Sequence, residues 1–159
     1  MSISPSIPIF ISYSHKDEDY KDALIEQLSP LRRSGLIDAW EDREIVAGEE
    51  WNDAIFANLN KAKVVLLLVS SAFINSNFCM DKELAAAMER HKKGECIVVP
   101  IIIRPCDFSD MPFAKFQAVP KNAKPISKWD DEDEAWLDVV KKLKIAIEAI
   151  VVSQKVSKS

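Results

Sequence analysis

The segment Val64–Ser70 constrains the fold more than any other part of this 159-residue sequence. Its sequence, VVLLLVS, has no charge and no apolar–polar alternation. A strand with one solvated face would alternate, so this continuous apolar run predicts a strand that is buried on both faces. Such strands are typical of parallel sheets that are covered by helices on each side. We therefore expect an α/β protein built around this segment.

Strand-like and helix-like patterns alternate along the whole chain. The predicted strands are Ile7–Tyr13, Leu36–Trp40, Val64–Ser70, Cys96–Ile103 and, less regularly, Lys124–Ser127. Amphipathic helical patterns cover Tyr20–Leu31, Trp51–Ala62, Leu84–His91 and Asp131–Val151. This alternation predicts a three-layer, flavodoxin-like fold, with a five-stranded parallel sheet in the order 2-1-3-4-5 and helices on both faces. We expect a single domain over residues 1–152 and a polar C-terminal tail over residues 153–159.

Several residues predict how these elements begin and end. Ser14 is expected to cap the first helix, and Asp17, three residues later, resembles the acidic residue of a capping box. Gly35 and Gly94 are expected to end the first and the third helix. The strand Cys96–Ile103 is apolar on both faces, so we expect it to lie inside the sheet rather than at its edge.

The charge and hydropathy of the chain exclude several classes of partner. A net charge of −4 and a pI of about 5.3 argue against binding to a nucleic-acid backbone, which requires a basic surface. No apolar run reaches the length that is needed to span a membrane. The first residues, MSISPSIPIF, lack the basic start and the long apolar stretch of a signal peptide. We therefore expect a cytoplasmic protein that binds neither nucleic acid nor membrane.

The sequence also argues against the common metal and nucleotide-cofactor sites. The three cysteines, Cys79, Cys96 and Cys106, have no CxxC spacing, and there are only two histidines, so no metal site is expected. With three glycines, the chain has neither GxGxxG nor GxxxxGK[ST], the phosphate-binding motifs of Rossmann dehydrogenases and P-loop NTPases. The central strand ends in Ser70 rather than in the aspartate of a phospho-receiver. No bound cofactor is predicted.

In their order and spacing, four segments together resemble the Toll/interleukin receptor (TIR) domain, and its bacterial members in particular. They are IFISYS at Ile9–Ser14, WED at Trp40–Asp42 with Ile45, Gly48 and Trp51, LLVSS at Leu67–Ser71 with Phe73, Ser76, Phe78, Cys79, Glu83 and Leu84, and VPI at Val99–Ile101. Some TIR domains are adaptors that only bind other TIR domains. Others, including many bacterial and plant members, cleave NAD+ between nicotinamide and ribose and release nicotinamide with ADP-ribose or a cyclic isomer. The resemblance thus implies NAD+ as a substrate.

The residue pattern and the resemblance both single out Glu83. It follows the buried strand Val64–Ser70 at the edge of a helical apolar face, and open α/β sheets form their sites beyond the carboxyl ends of strands. The TIR enzymes have a glutamate early in the third helix. Glu83 matches that position, so the resemblance implies that it is the catalytic residue. Many of those enzymes have tryptophan four residues earlier, where this chain has Cys79, with Phe78 beside it.

The resemblance also implies which segments bind the substrate. They are the turn after the first strand, with Ser12, Tyr13 and Ser14, the loop after the second strand, with Asp42, Arg43, Ile45 and Gly48, and the pair Phe78 and Cys79. Within the loop, Arg43 is the nearest cation for the substrate phosphates. The same loop, residues 42–49, is the expected interface for self-association with other TIR domains, which enzymes of the family often need for activity.

Three functions follow from the resemblance. The first is an NAD+ nucleosidase, which among bacterial members implies a part in anti-phage defence. The second is a non-enzymatic module that docks onto another TIR domain through the loop 42–49. The third is a sensor that holds a nucleotide without cleaving it. Incubation with NAD+ separates them, because only the first function releases free nicotinamide.

Overall fold

The computed structural model describes residues 6–41, 57–75 and 82–157, apart from the side chains of residues 39–41, 82–83 and 154–157. The described residues contain a four-stranded, all-parallel sheet in the order β2-β1-β3-β4. Its strands are β1 (Ile7–Ser12), β2 (Ile37–Glu41), β3 (Val64–Val69) and β4 (Ile97–Ile102). The parallel sheet and this strand order confirm the predicted α/β fold.

Helices follow the strands in the predicted alternation. They are α1 (Glu18–Arg33), α2 (helical residues 57–61), α3 (Ser71–Ile74), α4 (Lys82–Lys92) and α5 (Glu132–Ser157). Gly35 and Gly94 follow α1 and α4 with φ values of +80° and +76°, a backbone conformation that glycine adopts at little cost. Helix α5 is longer than predicted, because it continues past Val151 to Ser157, into the predicted polar tail. No helix within the described ranges has the length and apolar character required to cross a membrane.

Strand β3 is the centre of the core, as its sequence predicts. All six of its residues are buried, and alternate side chains enter two separate hydrophobic clusters. Leu66 and Leu68 pack in the first cluster with residues of α1 and α5. Leu67 and Val69 pack in the second cluster with residues of α4. Because successive side chains of a strand point to opposite faces, α1 and α4 cover opposite faces of the sheet.

The sheet edge beside β4 differs from the prediction. The segment Lys124–Ser127 does not form a fifth strand, since a 3-10 turn begins at Ile126. Instead, Val119 makes a single parallel bridge to β4, with its N–H donating to the Pro100 carbonyl at 2.9 Å. The next N–H that could extend this parallel ladder is that of Lys121, and it donates to Asp138 Oδ2 at 2.8 Å instead, so the pairing stops after one bridge. Within the described ranges, β4 is thus an edge strand of the sheet rather than an interior one.

The start of α1 also differs from the prediction. The Ser14 hydroxyl caps a short 3-10 turn, His15–Asp17, by accepting the Lys16 N–H at 3.2 Å. The predicted capping box is wrong, because the Asp17 side chain is engaged elsewhere. It is 1% exposed and contacts Ser70 and Arg104.

Candidate functional site

The carboxyl ends of β1 and β3 form the topological switch point of the sheet. The two strands are neighbours, yet α1, which follows β1, and α4, which follows β3 further along the chain, lie on opposite faces. A crevice opens between such diverging connections, and open α/β sheets bind ligands there. The candidate site is therefore the edge of the sheet at Ser12 and Ser70.

The turn after β1 contains three of the predicted substrate-binding residues. Ser12 and Tyr13 are buried, and Ser14 is half-buried. The Ser12 hydroxyl has no hydrogen-bond partner among the residues that the structure describes, although buried polar groups are normally paired. The Tyr13 ring packs in the first cluster, with Lys21 Nζ 5.5 Å from its centroid. Of the three, Ser14 offers the most side-chain access from solvent.

A buried carboxylate, which the sequence analysis did not identify as part of the site, lies at this edge. Asp17 Oδ2 accepts a hydrogen bond from Ser70 Oγ at 2.5 Å. Asp17 Oδ1 lies 3.1 Å from Arg104 Nη2, an ion pair without the alignment of a good hydrogen bond. A buried charge is costly unless it is paired, and these two contacts compensate it.

The Asp17 cluster joins segments that are far apart in the sequence. Asp17 follows β1, Ser70 follows β3, and Arg104 follows β4. Their separation leaves no local spacing that would have revealed the cluster from the sequence. The available signal was only that each residue stands at the end of a predicted strand or shortly after one. Since carboxyl ends of parallel strands meet at one edge, that signal indicates proximity without indicating contact.

Ser70 links this cluster to the chain that leads to Glu83. Its hydroxyl donates to Asp17 and also accepts the Phe73 N–H at 3.1 Å, which caps α3. Phe73 is completely buried in the second cluster. The start of α1 and the start of α3 are thus held together through one serine side chain.

Glu83 is the second residue of α4. The next residue, Leu84, is buried with Ala87 in the second cluster, while Met88 and His91 are half-buried, so the predicted apolar face of this helix is confirmed. The end of α4 leads through the Gly94 turn to the beginning of β4. The beginning of α4 must therefore lie at the opposite, carboxyl edge, together with Ser12 and Ser70. The catalytic role of Glu83 stays a prediction.

The far end of α4 is anchored by His91. Its Nδ1 accepts the Val98 N–H of β4 at 3.0 Å, and its ring stacks on Phe116 with centroids 4.0 Å apart. Burial, with a smaller contribution from the positive charge of Lys115, lowers the pKa of His91 below its usual value of 6.5. The neutral imidazole that this contact requires is therefore favoured.

The remaining predicted site residues lie outside the described ranges. They are Asp42, Arg43, Ile45, Gly48, Phe78 and Cys79. The side chain of Glu83 also lies outside them. Within the described ranges, no group of three or more histidine, cysteine or acidic side chains is arranged to hold a metal ion.

Comparisons with known proteins agree on one family. The sequence profile of the TIR domain matches residues 9–141. The uncharacterized protein y4lF of Sinorhizobium fredii (strain NBRC 101917 / NGR234) is 51% identical over 138 residues, which are 87% of this chain and 43% of y4lF. Toll-like receptor 4 of Pinctada imbricata is 27% identical over 117 residues, which are 72% of this chain and 13% of the receptor. The chain thus spans less than half the length of either relative.

A solved structure agrees with the observed fold. The TIR domains of the activated Roq1 resistosome, a complex that directly recognizes the pathogen effector XopQ, superimpose with a TM-score of 0.62. The sequences are 17% identical, and the superposition covers 87% of this chain and 99% of the other. At this identity the similarity shows the fold alone.

Proposed function

The chain belongs to the TIR domain family, and we propose that it is an NAD+ nucleosidase of that family. The reaction would break the bond between nicotinamide and ribose and release nicotinamide with ADP-ribose or a cyclic isomer. The observation that supports this proposal is the position of Glu83 at the start of α4, since α4 begins at the same sheet edge as Ser12 and Ser70. A glutamate at this edge of the sheet is well placed to meet a substrate that binds at the switch point.

The chemistry of the reaction suits a single carboxylate. Loss of nicotinamide leaves positive charge on the ribose, as in the oxocarbenium-like transition state of glycoside hydrolysis. Nicotinamide leaves from a cationic ring and departs neutral, so no general acid has to protonate it. Glu83 would face the developing charge and hydrogen-bond the ribose hydroxyls. Attack by water then gives ADP-ribose, whereas attack by a hydroxyl of the same molecule gives a cyclic product.

A matched pair of variants tests the role of Glu83. Glu83→Gln removes the charge and keeps the size, and it should abolish the release of nicotinamide from NAD+ by the purified protein. Glu89→Gln is the control, because Glu89 is an exposed glutamate on the same helix, 3.9 Å from Lys93. It should keep wild-type activity. Full turnover by Glu83→Gln would refute the enzyme proposal.

The competing proposal is a module that binds other TIR domains without catalysis. The 27% identity to a Toll-like receptor favours it. A wild-type protein that associates in sedimentation experiments but releases no nicotinamide would support this function and exclude the first. If the protein is an enzyme, we propose that it uses NAD+ as its substrate and needs no bound cofactor. We further propose that it acts in the cytoplasm, in anti-phage defence.

We also propose that activity depends on association through residues 42–49. Gly48→Arg introduces a bulky cation into this loop, so it should lower the specific activity more than it lowers the melting temperature. The measurement is nicotinamide release across a dilution series, with sedimentation at the same concentrations. Constant specific activity of a strictly monomeric sample would contradict the dependence on association.

A further inference from the structure

We propose that Arg104 is an anion-binding residue of the candidate site, that it takes the pyrophosphate of the dinucleotide, and that Asp17 holds it in position. The inference rests on the proposed function, because it assigns a residue to the phosphates of that substrate. From the sequence, Arg43 is the residue expected to meet these phosphates. Arg104 is a different cation, which follows β4 at the carboxyl edge of the sheet.

The position of Arg104 supports this assignment. It is the second residue after β4, yet its guanidinium reaches Asp17, which lies between β1 and α1. In the sheet, β4 is the neighbour of β3, and the guanidinium reaches the carboxyl end of β3, where Asp17 lies. The Asp17 carboxylate accepts a hydrogen bond from Ser70, the residue that follows β3. The guanidinium therefore lies beside the switch point.

The environment of Arg104 keeps it available to a ligand. Its side chain is 43% exposed, whereas the Asp17 side chain is 1% exposed. A guanidinium has five N–H donors, and the described contacts with protein carboxylates engage one nitrogen, Nη2. The remaining donors can form the paired hydrogen bonds by which arginine recognises phosphate groups.

Asp17 makes the arginine a preorganised group rather than a freely moving one. The buried carboxylate is fixed by Ser70, and it restricts the guanidinium from one side. A side chain that is already ordered loses less conformational entropy when it binds a ligand. The negative charge of Asp17 also weakens attraction to anions in general, so a bare anion should bind less well than a nucleotide that makes further contacts.

The test compares two ligands that differ in their phosphates. Calorimetric titration of wild-type protein with ADP-ribose and with adenosine measures the affinity that the phosphates add. Arg104→Gln should weaken ADP-ribose binding at least about tenfold, the effect of losing a hydrogen bond to a charged group, and leave adenosine binding within about twofold. It should raise the KM for NAD+ by a similar factor with less change in kcat. Arg33→Gln, at the exposed end of α1, is the control and should change neither affinity.

A second variant guards against loss of folding. Arg104→Gln leaves the buried Asp17 carboxylate without its cation, so the double variant Asp17→Asn with Arg104→Gln removes both charges together. It should fold and show the same selective loss of ADP-ribose affinity. Equal loss for ADP-ribose and adenosine, or unchanged affinity for ADP-ribose in both variants, would overturn the role of Arg104. Failure of the wild-type protein to release nicotinamide would instead overturn the proposed function on which the inference rests.

Discussion

Helix α1 is held at the carboxyl edge of the sheet by a charged contact, whereas helix α4 is held at the amino edge by a neutral one. Before α1, at the carboxyl edge, the buried Asp17 carboxylate is held by Ser70 and faces the Arg104 guanidinium. Near the end of α4, at the amino edge, the neutral imidazole of His91 accepts the Val98 N–H and stacks on Phe116. The first contact leaves a half-exposed cation at the carboxyl edge of the sheet, whereas the second is made to backbone and an aromatic ring. The charged contact is therefore the one suited to bind a ligand.

The largest expected effects come from removing either partner of the contact between Asp17 and Arg104. The two losses of stability should be unequal. Arg104→Ala leaves a buried carboxylate without its cation and should lower the free energy of unfolding by about 3 kcal/mol. Asp17→Ala leaves the half-exposed Arg104 to be solvated by water and should cost less, about 2 kcal/mol. Urea unfolding of both variants measures the difference. A larger loss for Asp17→Ala would mean that Ser70, rather than Arg104, provides most of the compensation.

The neutral contact should be weaker but still measurable. His91→Ala leaves the Val98 N–H without its acceptor and removes the stacking on Phe116, so it should cost about 2 kcal/mol in unfolding free energy. His91→Asn is the matched control, because the amide oxygen can approach the position of Nδ1. It should recover part of the loss. Equal destabilisation by both variants would show that stacking, not the hydrogen bond, fixes this end of α4.

The smallest expected effect is a pH dependence of the unfolding free energy that arises from His91. The pKa of His91 is lowered in the folded protein by burial and by Lys115, so below pH 6.5 the unfolded chain binds more protons at this residue than the folded one. Its contribution to stability is therefore present above pH 6.5 and is lost as the pH falls through the folded pKa. Unfolding curves between pH 7.5 and about 5 should show this slope in the wild type and less of it in His91→Asn. If His91→Asn has the same slope as the wild type, other groups cause the pH dependence.

Much of the fold was predictable because it depends on local pattern. The uncharged run of β3 indicates burial on both faces, and the structure confirms it. The spacing of Leu84 and Ala87 indicates the buried face of α4, and the glycines after α1 and α4 indicate where these helices end. The spacing of apolar residues and the backbone freedom of glycine are properties of short segments. They can therefore be recognised without knowledge of the tertiary contacts.

The errors have a common cause in long-range contacts. Asp17 looks like an ordinary acid in the first turn of a helix, and its burial depends on Ser70 and Arg104, 53 and more residues away in the chain. The apolar sequence of β4 suggests an interior strand, yet its outer edge is paired by one residue, Val119. In neither case does the segment itself contain the partner that decides the outcome.

The sequence by itself determined the parallel sheet, its helical cover and the family resemblance, because each follows from apolar periodicity or from motifs of a few residues. It also singled out Glu83 as the candidate catalytic residue, which stays a prediction. Only the tertiary structure brought Asp17, Ser70 and Arg104 into one cluster and left Arg104 half-exposed. The physical reason is that the cost of burying a charge is set by the partners that surround it in space. The three residues of the cluster follow three different strands, and they meet only when the sheet has formed.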